Sequence, residues 1–218
     1  MYCGPSFHGG WLMSLELVWL GHAGVMIRCP SGTLYIDPWK VSPKSPKADI
    51  ILLTHEHYDH YSPDDLRLLK GESTRVIAPV RTPETTDLMA PGDRLSIGNI
   101  AVEAVAAYNI SKAFHPRGNS WLGYVVEACG KRIYHAGDTD RVPEMRGLTV
   151  DVALLPVGGT YTMDAREAAM AAGDLKAGEA IPIHFGDIVG TRKDAETFAR
   201  SCTAPVRILD PGEPYVID

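Results

Sequence analysis

Residues 54–60 read Thr-His-Glu-His-Tyr-Asp-His, three imidazoles and two carboxylates in seven residues, directly behind the apolar run Ile50-Ile51-Leu52-Leu53. With 8 histidines in 218 residues, the pattern H-x-H-x-D-H arises by chance on the order of one time in a thousand. If the backbone stays extended past Leu53, the two-residue period of a strand turns His55 and His57 to one side, so both imidazoles can meet one metal ion. Asp59 and His60 then fall in the turn ahead of the next helix and can reach a second ion, since paired catalytic ions stand about 3.5 to 4 Å apart. Read instead as a solvated polar loop, the cluster would carry a desolvation cost with nothing to organise it. The remaining ligands must come from elsewhere. Asp138, in a Gly-Asp-Thr-Asp turn behind the run 132–135, has two oxygens and can bridge two ions; His184, closing Ile181-Pro182-Ile183, is next. An ordinary turn aspartate and a satisfied core histidine are the competing readings. Imidazole with carboxylate suits zinc first, one or two ions per chain, with manganese or iron as alternatives.

Such a cluster needs elements to hold it. Apolar runs of strand length, each bounded by turn residues, recur at 15–20, 25–27, 34–36, 50–53, 76–78, 100–106, 122–127, 132–135, 152–155, 180–183, 206–209 and 215–217. Three helix starts stand between them. Ser62 caps the first, with Pro63 at its first position and Asp65 closing a capping box; the others begin at Asp164 and Thr191. Strands followed by helices in both halves read as a layered α/β domain with helices covering sheets.

A formal net charge of -6 gives no overall attraction to nucleic acid or an anionic membrane, so the expected partner is a small molecule. No apolar stretch approaches the length of a membrane span, and the N-terminus lacks the basic and apolar segments of a signal peptide. The expected location is the cytoplasm. The 4 cysteines, Cys3, Cys29, Cys129 and Cys202, lie far apart without a C-x-x-C pair, and read as reduced, mostly buried thiols. Residues 1–14, rich in Gly, Pro and Ser, read as an unstructured extension with Met13 as an alternative start; residues 15–218 read as one domain. A homo-oligomer is compatible with the sequence.

These residues resemble the metallo-β-lactamase fold superfamily: its H-x-H-x-D-H matches His55, His57, Asp59 and His60, its bridging aspartate Asp138 and its final histidine His184. The likeness covers nearly all of 15–218. The strings WLGHAG at 19–24, Ile36-Asp37-Pro38, GDT at 137–139 and LLPVGGTYTM at 154–163 resemble the compact branch that includes ascorbate-6-phosphate lactonase and many metal-dependent hydrolases. The resemblance implies a four-layer αββα sandwich with the metals at one edge of its two sheets. It implies that one ion takes His55 and His57 and the other Asp59, His60 and His184, with Asp138 between them. Another histidine usually serves the first ion from the end of a middle strand, and the matching position here is Asn109. Either His115 swings in, or Asn109 binds through its carbonyl oxygen, or the first ion is weakly held. His22 is expected beside the site, in contact with ligands or substrate, and Asp37 is expected to brace the ligating imidazoles. Trp39, Trp121, Tyr124 and Tyr161 are candidates for a pocket wall, with packing as the competing reading; His135 reads as strand core.

The chemistry implied is hydrolysis by a metal-activated water on a small ester, lactone or phosphoester, with small molecules of the sugar-phosphate, lipid and lactone classes, anionic ones included, as candidate substrates. Asp59 would orient the water, and His22 or His115 would supply a proton or hold an anionic substituent. Nuclease relatives carry an additional arm or domain for which this chain has no room. A true β-lactamase has a cysteine where Asp138 stands, and diiron oxygen-reducing relatives have glutamate where His57 stands. The rival from another class is a metal-binding or sensor protein without turnover, for which Asn109 is the main argument.

Overall fold

Apolar residues in the early strands alternate between two separate clusters, and that alternation sets the architecture. In a computed structural model describing residues 14–217, Leu15, Leu17, Val25, Ile27, Leu34, Ile36, Ile50 and Leu52 belong to one buried cluster. Their neighbours Val18, Met26, Tyr35, Ile51 and Leu53 belong to another, together with Leu66 and Leu69 of a helix. Successive side chains of a strand face opposite sides, so this sheet has an inner face against a second sheet and an outer face under a helix. The extension expected over 1–14 lies outside the described residues, Ser14 excepted.

The first sheet has seven strands in the order β13-β1-β2-β3-β4-β5-β6. They are β1 (Leu15–Gly21), β2 (Gly24–Cys29), β3 (Gly32–Ile36), β4 (Ala48–Leu52), β5 (Lys70–Ala78), β6 (Asp87–Leu88) and β13 (Pro214–Ile217). The second has six, in the order β12-β11-β10-β9-β8-β7: β7 (Arg94–Ile97), β8 (Ile100–Ala106), β9 (Leu122–Ala128), β10 (Lys131–His135), β11 (Val152–Pro156) and β12 (Glu179–Ile183). Helix α1 (Pro63–Leu69) covers the first sheet; α2 (Ala165–Asp174) and α3 (Arg192–Ser201) pack on β11 and β12. The layers therefore run helix, sheet, sheet, helices. Every residue of β11 is buried, as befits a strand covered on both faces. Each fully buried aliphatic side chain contributes about 1.5 to 3 kcal/mol.

Polarity of the strands places the site. β3, β4 and β5 run parallel, as do β10, β11 and β12, so the segments following β4, β10, β11 and β12 leave the sandwich at matching carboxyl ends. Asp164 caps α2 by accepting from the Arg166 and Glu167 N–H groups, and Thr191 with Asp194 forms a capping box on α3. Two expectations fail. Ser62 caps α1, but the Asp65 carboxylate turns away from the box to accept the Lys40 and Val41 N–H groups, both at 2.9 Å. The run 206–209 forms no strand: only Val206 bridges, to Ala180, because Pro205 and the turn at Pro211-Gly212 leave it too short to pair. The short, half-exposed edge strands β6 and β7 carry too few apolar residues to signal themselves. No helix among the described residues is long and apolar enough to cross a membrane.

Candidate metal centre

Beyond Leu52 the chain leaves the first sheet and is pinned to the second. Leu122 N–H donates to the Thr54 carbonyl at 3.0 Å and the Tyr124 hydroxyl to the Leu53 carbonyl at 2.8 Å. The chain is packed so tightly here that a Cβ on Gly137 (φ +64°) would lie 2.7 Å from the Leu122 carbonyl oxygen of its own sheet and 3.1 Å from Thr54 Cβ, which arrives from the first sheet; glycine alone permits both the contacts and the dihedral. The glycine also sets the exit of the chain from β10, and so the direction of Asp138.

Around Asp138, itself 5% exposed, the side chains converge. His60 Nε2 stands 3.3 Å from Asp138 Oδ1 and 3.7 Å from Asp59 Oδ2. His115 and His184 direct Nε2 at Asp138 Oδ2, at 3.3 and 3.1 Å. His55 Nε2 and His57 Nδ1 lie 3.0 Å apart, so these two imidazoles do meet on one side although the strand ends before them. Among the described residues, candidate ligand atoms within 4.8 Å of one another form three groups: His55 with His57 and His115; His55 with His60 and Asp138; His22 with Asp59, His60 and His184.

The supporting partners are as specific. The Asp37 carboxylate, fully buried, accepts the Thr54 N–H at 2.7 Å, the Thr54 hydroxyl at 2.6 Å and His60 Nδ1–H at 2.7 Å. Thr54 Oγ1 is also 2.9 Å from His55 Nδ1, so one carboxylate orients His60 directly and His55 through a hydroxyl. His22 Nε2 lies 2.9 Å from Asp59 Oδ2, its ring 4.0 Å from that of His184, and its carbonyl accepts the His184 N–H.

Asn109 does not face the cluster. Its Oδ1 accepts the His115 backbone N–H at 3.0 Å and lies 3.2 Å from His115 Nδ1, while its Nδ2 donates to Asp140 and to the Tyr161 carbonyl. Of the alternatives for this corner, the structure brings in His115 and turns the Asn109 carbonyl oxygen toward it. Asp140, 2% exposed, gathers Asn109, the Ile110 N–H and Lys112 Nζ. Sequence reasoning missed Asp140 as a support although it stands in the Gly-Asp-Thr-Asp turn, and it missed Thr54, whose position between Leu53 and His55 was the available signal.

Burial and charge oppose one another here. Burial pushes the His60 imidazole down, but the Asp138 and Asp37 carboxylates outweigh it and hold it well above the ordinary range. Burial would raise Asp138, yet His184 and His60 hold it well below the usual carboxylate range. Asp59 is likewise lowered against its burial, chiefly by the hydrogen bond from His22. Burial lowers His22, His55 and His115.

The donor set fits a divalent cation. Four buried atoms that point into the cluster, Nε2 of His60, His115 and His184 and Oδ1 of Asp138, have no hydrogen-bond partner. Leaving each unpaired costs about 1 to 3 kcal/mol, and imidazole nitrogens with carboxylate oxygens suit zinc, manganese or iron.

Other expected residues sort by burial. Tyr161 lines a cavity of about 230 Å³ with His57, Tyr58, Asp59, Phe114, His115, Asp138 and Ile188. Trp121 and Tyr124 are instead buried packing residues, Trp121 against the rings of His55, His57 and His115. Trp39 is outside the cavity lining and stands edge-on to His22 and to Tyr58. His135 is strand core, with Nε2 donating to the Ala23 carbonyl and Nδ1 accepting the Gly137 N–H.

Residues 16–184 match the profile of the Beta-lactamase superfamily domain. A UPF0173 metal-dependent hydrolase from Anaeromyxobacter sp. (strain K) is 34% identical over 237 aligned positions, covering 91% of this chain and 85% of the relative. The UPF0173 protein of Thermococcus kodakarensis is 33% identical, covering 91% and 98%. Among solved structures, a candidate metal-dependent hydrolase from Parabacteroides distasonis superposes with a TM-score of 0.79 at 33% identity, over 89% of this chain and 92% of that one. Igni18, a metallo hydrolase from Ignicoccus hospitalis, gives 0.77 at 22% identity, over 94% and 99%, a likeness of fold.

Proposed function

The chain belongs to the β-lactamase superfamily domain family and to its UPF0173 metal-dependent hydrolases, and from that premise we propose that it is a metal-dependent hydrolase of small esters, lactones or phosphoesters. The observation that carries this reading is the convergence of unpartnered buried imidazole nitrogens on the Asp138 carboxylate. His55, His57 and His115 would hold one ion and Asp59, His60 and His184 another, with Asp138 available to both; zinc is favoured by the imidazole-rich set. Bound there, a divalent cation lowers the pKa of water toward neutrality and polarises a carbonyl or phosphoryl oxygen.

The chain's own residues do the rest. Asp59 stays ionised, and the His22 N–H fixes its carboxylate, so it can take the proton of the attacking water and pass it to the leaving group. His22 and His115 are held below the ordinary imidazole range by burial. Both are neutral at neutral pH, and the proton passed on would be the one Asp59 takes from water. His22 becomes a positioning residue. A non-catalytic metal-binding role rested on Asn109; with His115 aimed at Asp138, that argument loses its ground. Partly buried free thiols at Cys29, Cys129 and Cys202 suit a reducing compartment and support the cytoplasm.

Substituting His57→Ala or Asp138→Ala tests the reading. Metal content by plasma mass spectrometry should fall, and turnover of generic esters, lactones and phosphodiesters should drop by more than about 100-fold, the upper end for loss of a mere supporting partner. Unchanged metal content with unchanged hydrolysis overturns it.

A further inference from the structure

Within that hydrolase reading, on which this inference rests, the mouth of the centre separates the substrate classes. The cavity of about 230 Å³ opens over His57, Asp59, His115 and Asp138 and is walled on its outer side by Tyr58, Phe114, Tyr161 and Ile188. That volume is below the roughly 300 to 1,000 Å³ of drug-sized sites, so the ligand is small. Tyr58 is 67% exposed and Phe114 48% exposed. Single exposed apolar residues are ordinary, but a cluster around the entrance to a buried polar centre is the surface of a ligand site. Phe114 stands perpendicular to Tyr161 with ring centroids 4.8 Å apart, an edge-to-face pair that braces the wall.

The same wall has no means of holding a phosphoryl group. No Lys or Arg is among its lining residues. The cations on the flanking loops are already engaged, Lys40 Nζ with Asp187 at 2.7 Å and Lys112 Nζ with Asp140 at 2.5 Å. Recognition of a phosphate draws on fixed guanidinium or ammonium groups beyond the catalytic ions, and here the surroundings offer hydrocarbon and phenol.

We propose that the substrate is a small uncharged carboxylic ester or lactone whose apolar portion packs against Phe114 and Tyr161, rather than a phosphoester or other anionic molecule. In the reaction the water oxygen forms a bond to the acyl carbon, the acyl carbon–alkoxy oxygen bond breaks, and the proton taken up from water goes to the departing alkoxide. The products are a carboxylic acid and an alcohol, joined in one molecule when a lactone opens. This narrows the substrate range left open by the sequence to its uncharged members.

The experiment uses the full zinc-loaded chain. Steady-state kinetics are measured on p-nitrophenyl esters and γ-lactones of increasing alkyl length, and on p-nitrophenyl phosphate and bis(p-nitrophenyl) phosphate. Expected is a rise in kcat/KM of about fourfold per added methylene until the cavity is filled, with the phosphorus compounds at least 100-fold poorer. In Phe114→Ala and Tyr161→Ala the increment per methylene should shrink through KM, with bound metal unchanged; Phe114→Leu should restore part of it. A flat alkyl series, or preference for either phosphorus compound, overturns this inference and leaves the hydrolase reading standing. Hydrolysis of none of these compounds by chain that retains its metal overturns both.

Discussion

Asp37 holds two imidazoles through one buried carboxylate, and its replacement by asparagine should separate orientation from folding. Asn is isosteric, so Asp37→Asn keeps the volume of a fully buried site. Its single acceptor oxygen can serve the Thr54 N–H, now 2.7 Å from Oδ1. The amide nitrogen then occupies the place of Oδ2, facing the Thr54 hydroxyl at 2.6 Å and His60 Nδ1 at 2.7 Å. A donor there meets the His60 Nδ1–H, and the pair is satisfied only if His60 moves its proton to Nε2. That nitrogen is the atom aimed at Asp138 and Asp59, so the variant favours the tautomer that cannot bind metal. Loss of such a partner costs about 10- to 100-fold in metal affinity, or about 1.4 to 2.7 kcal/mol. Thr54→Val breaks only the hydroxyl link to His55 and should cost less. Competition with a chromophoric chelator measures the zinc affinity, and far-ultraviolet circular dichroism reports the fold. Zinc affinity of Asp37→Asn within threefold of the parent, with an unchanged spectrum, would refute the claim that Asp37 selects the tautomer.

Two further outcomes follow from the same geometry. Asn109→Ala removes the acceptor of the His115 N–H and a donor to Asp140, each loss worth about 1 to 3 kcal/mol in a buried setting; the variant should retain fewer ions per chain after a chelator wash, and full retention by mass spectrometry contradicts the role given to Asn109. His60 is held well above the ordinary range by Asp138 and Asp37 against the effect of burial, so in metal-free protein it is protonated at pH 7 and must lose that proton to coordinate. Zinc binding should therefore release at least one proton and strengthen by about tenfold per pH unit while His60 remains charged; calorimetry in buffers of different ionisation enthalpy checks this, and zero proton release at pH 7 counts against it.

How far the sequence carries depends on the range of the signal. The strands of the core were legible because Ile50-Ile51-Leu52-Leu53 and its counterparts are dense, β-branched and bounded by turn residues, and two buried faces leave no polar alternation to confuse them. β7 was not, because an edge strand with Arg94 and Ser96 between Leu95 and Ile97 carries little apolar signal. At the site, the His55-to-His60 cluster announced itself through local spacing. His115 could be offered only as one of several ways to fill the place of Asn109. Its position depends on Asp140 gathering Asn109, Ile110 and Lys112 from a turn some thirty residues later, and no local pattern records a contact at that distance along the chain.

The sequence named three further site residues but not the backbone conformations that aim them. His22, Asp37 and His184 all have left-handed dihedrals, φ +49°, +46° and +59°, where side chains other than glycine are uncommon. Sequence rules read such residues as turn or strand termini, since nothing in their type demands the left-handed region. Yet each conformation turns the chain at a strand end so that a side chain re-enters the centre: His22 toward Asp59, Asp37 beneath His60, His184 toward Asp138. The conformations are held by contacts between these segments. The His184 N–H donates to the His22 carbonyl at 2.7 Å and the Asp37 N–H to the Leu52 carbonyl at 3.0 Å. Strained dihedrals persist where the surrounding structure over-determines them, and the meeting of three of the seven left-handed non-glycine residues among those described at one cluster of imidazoles and carboxylates is a reason, independent of any motif, to place the chemistry there.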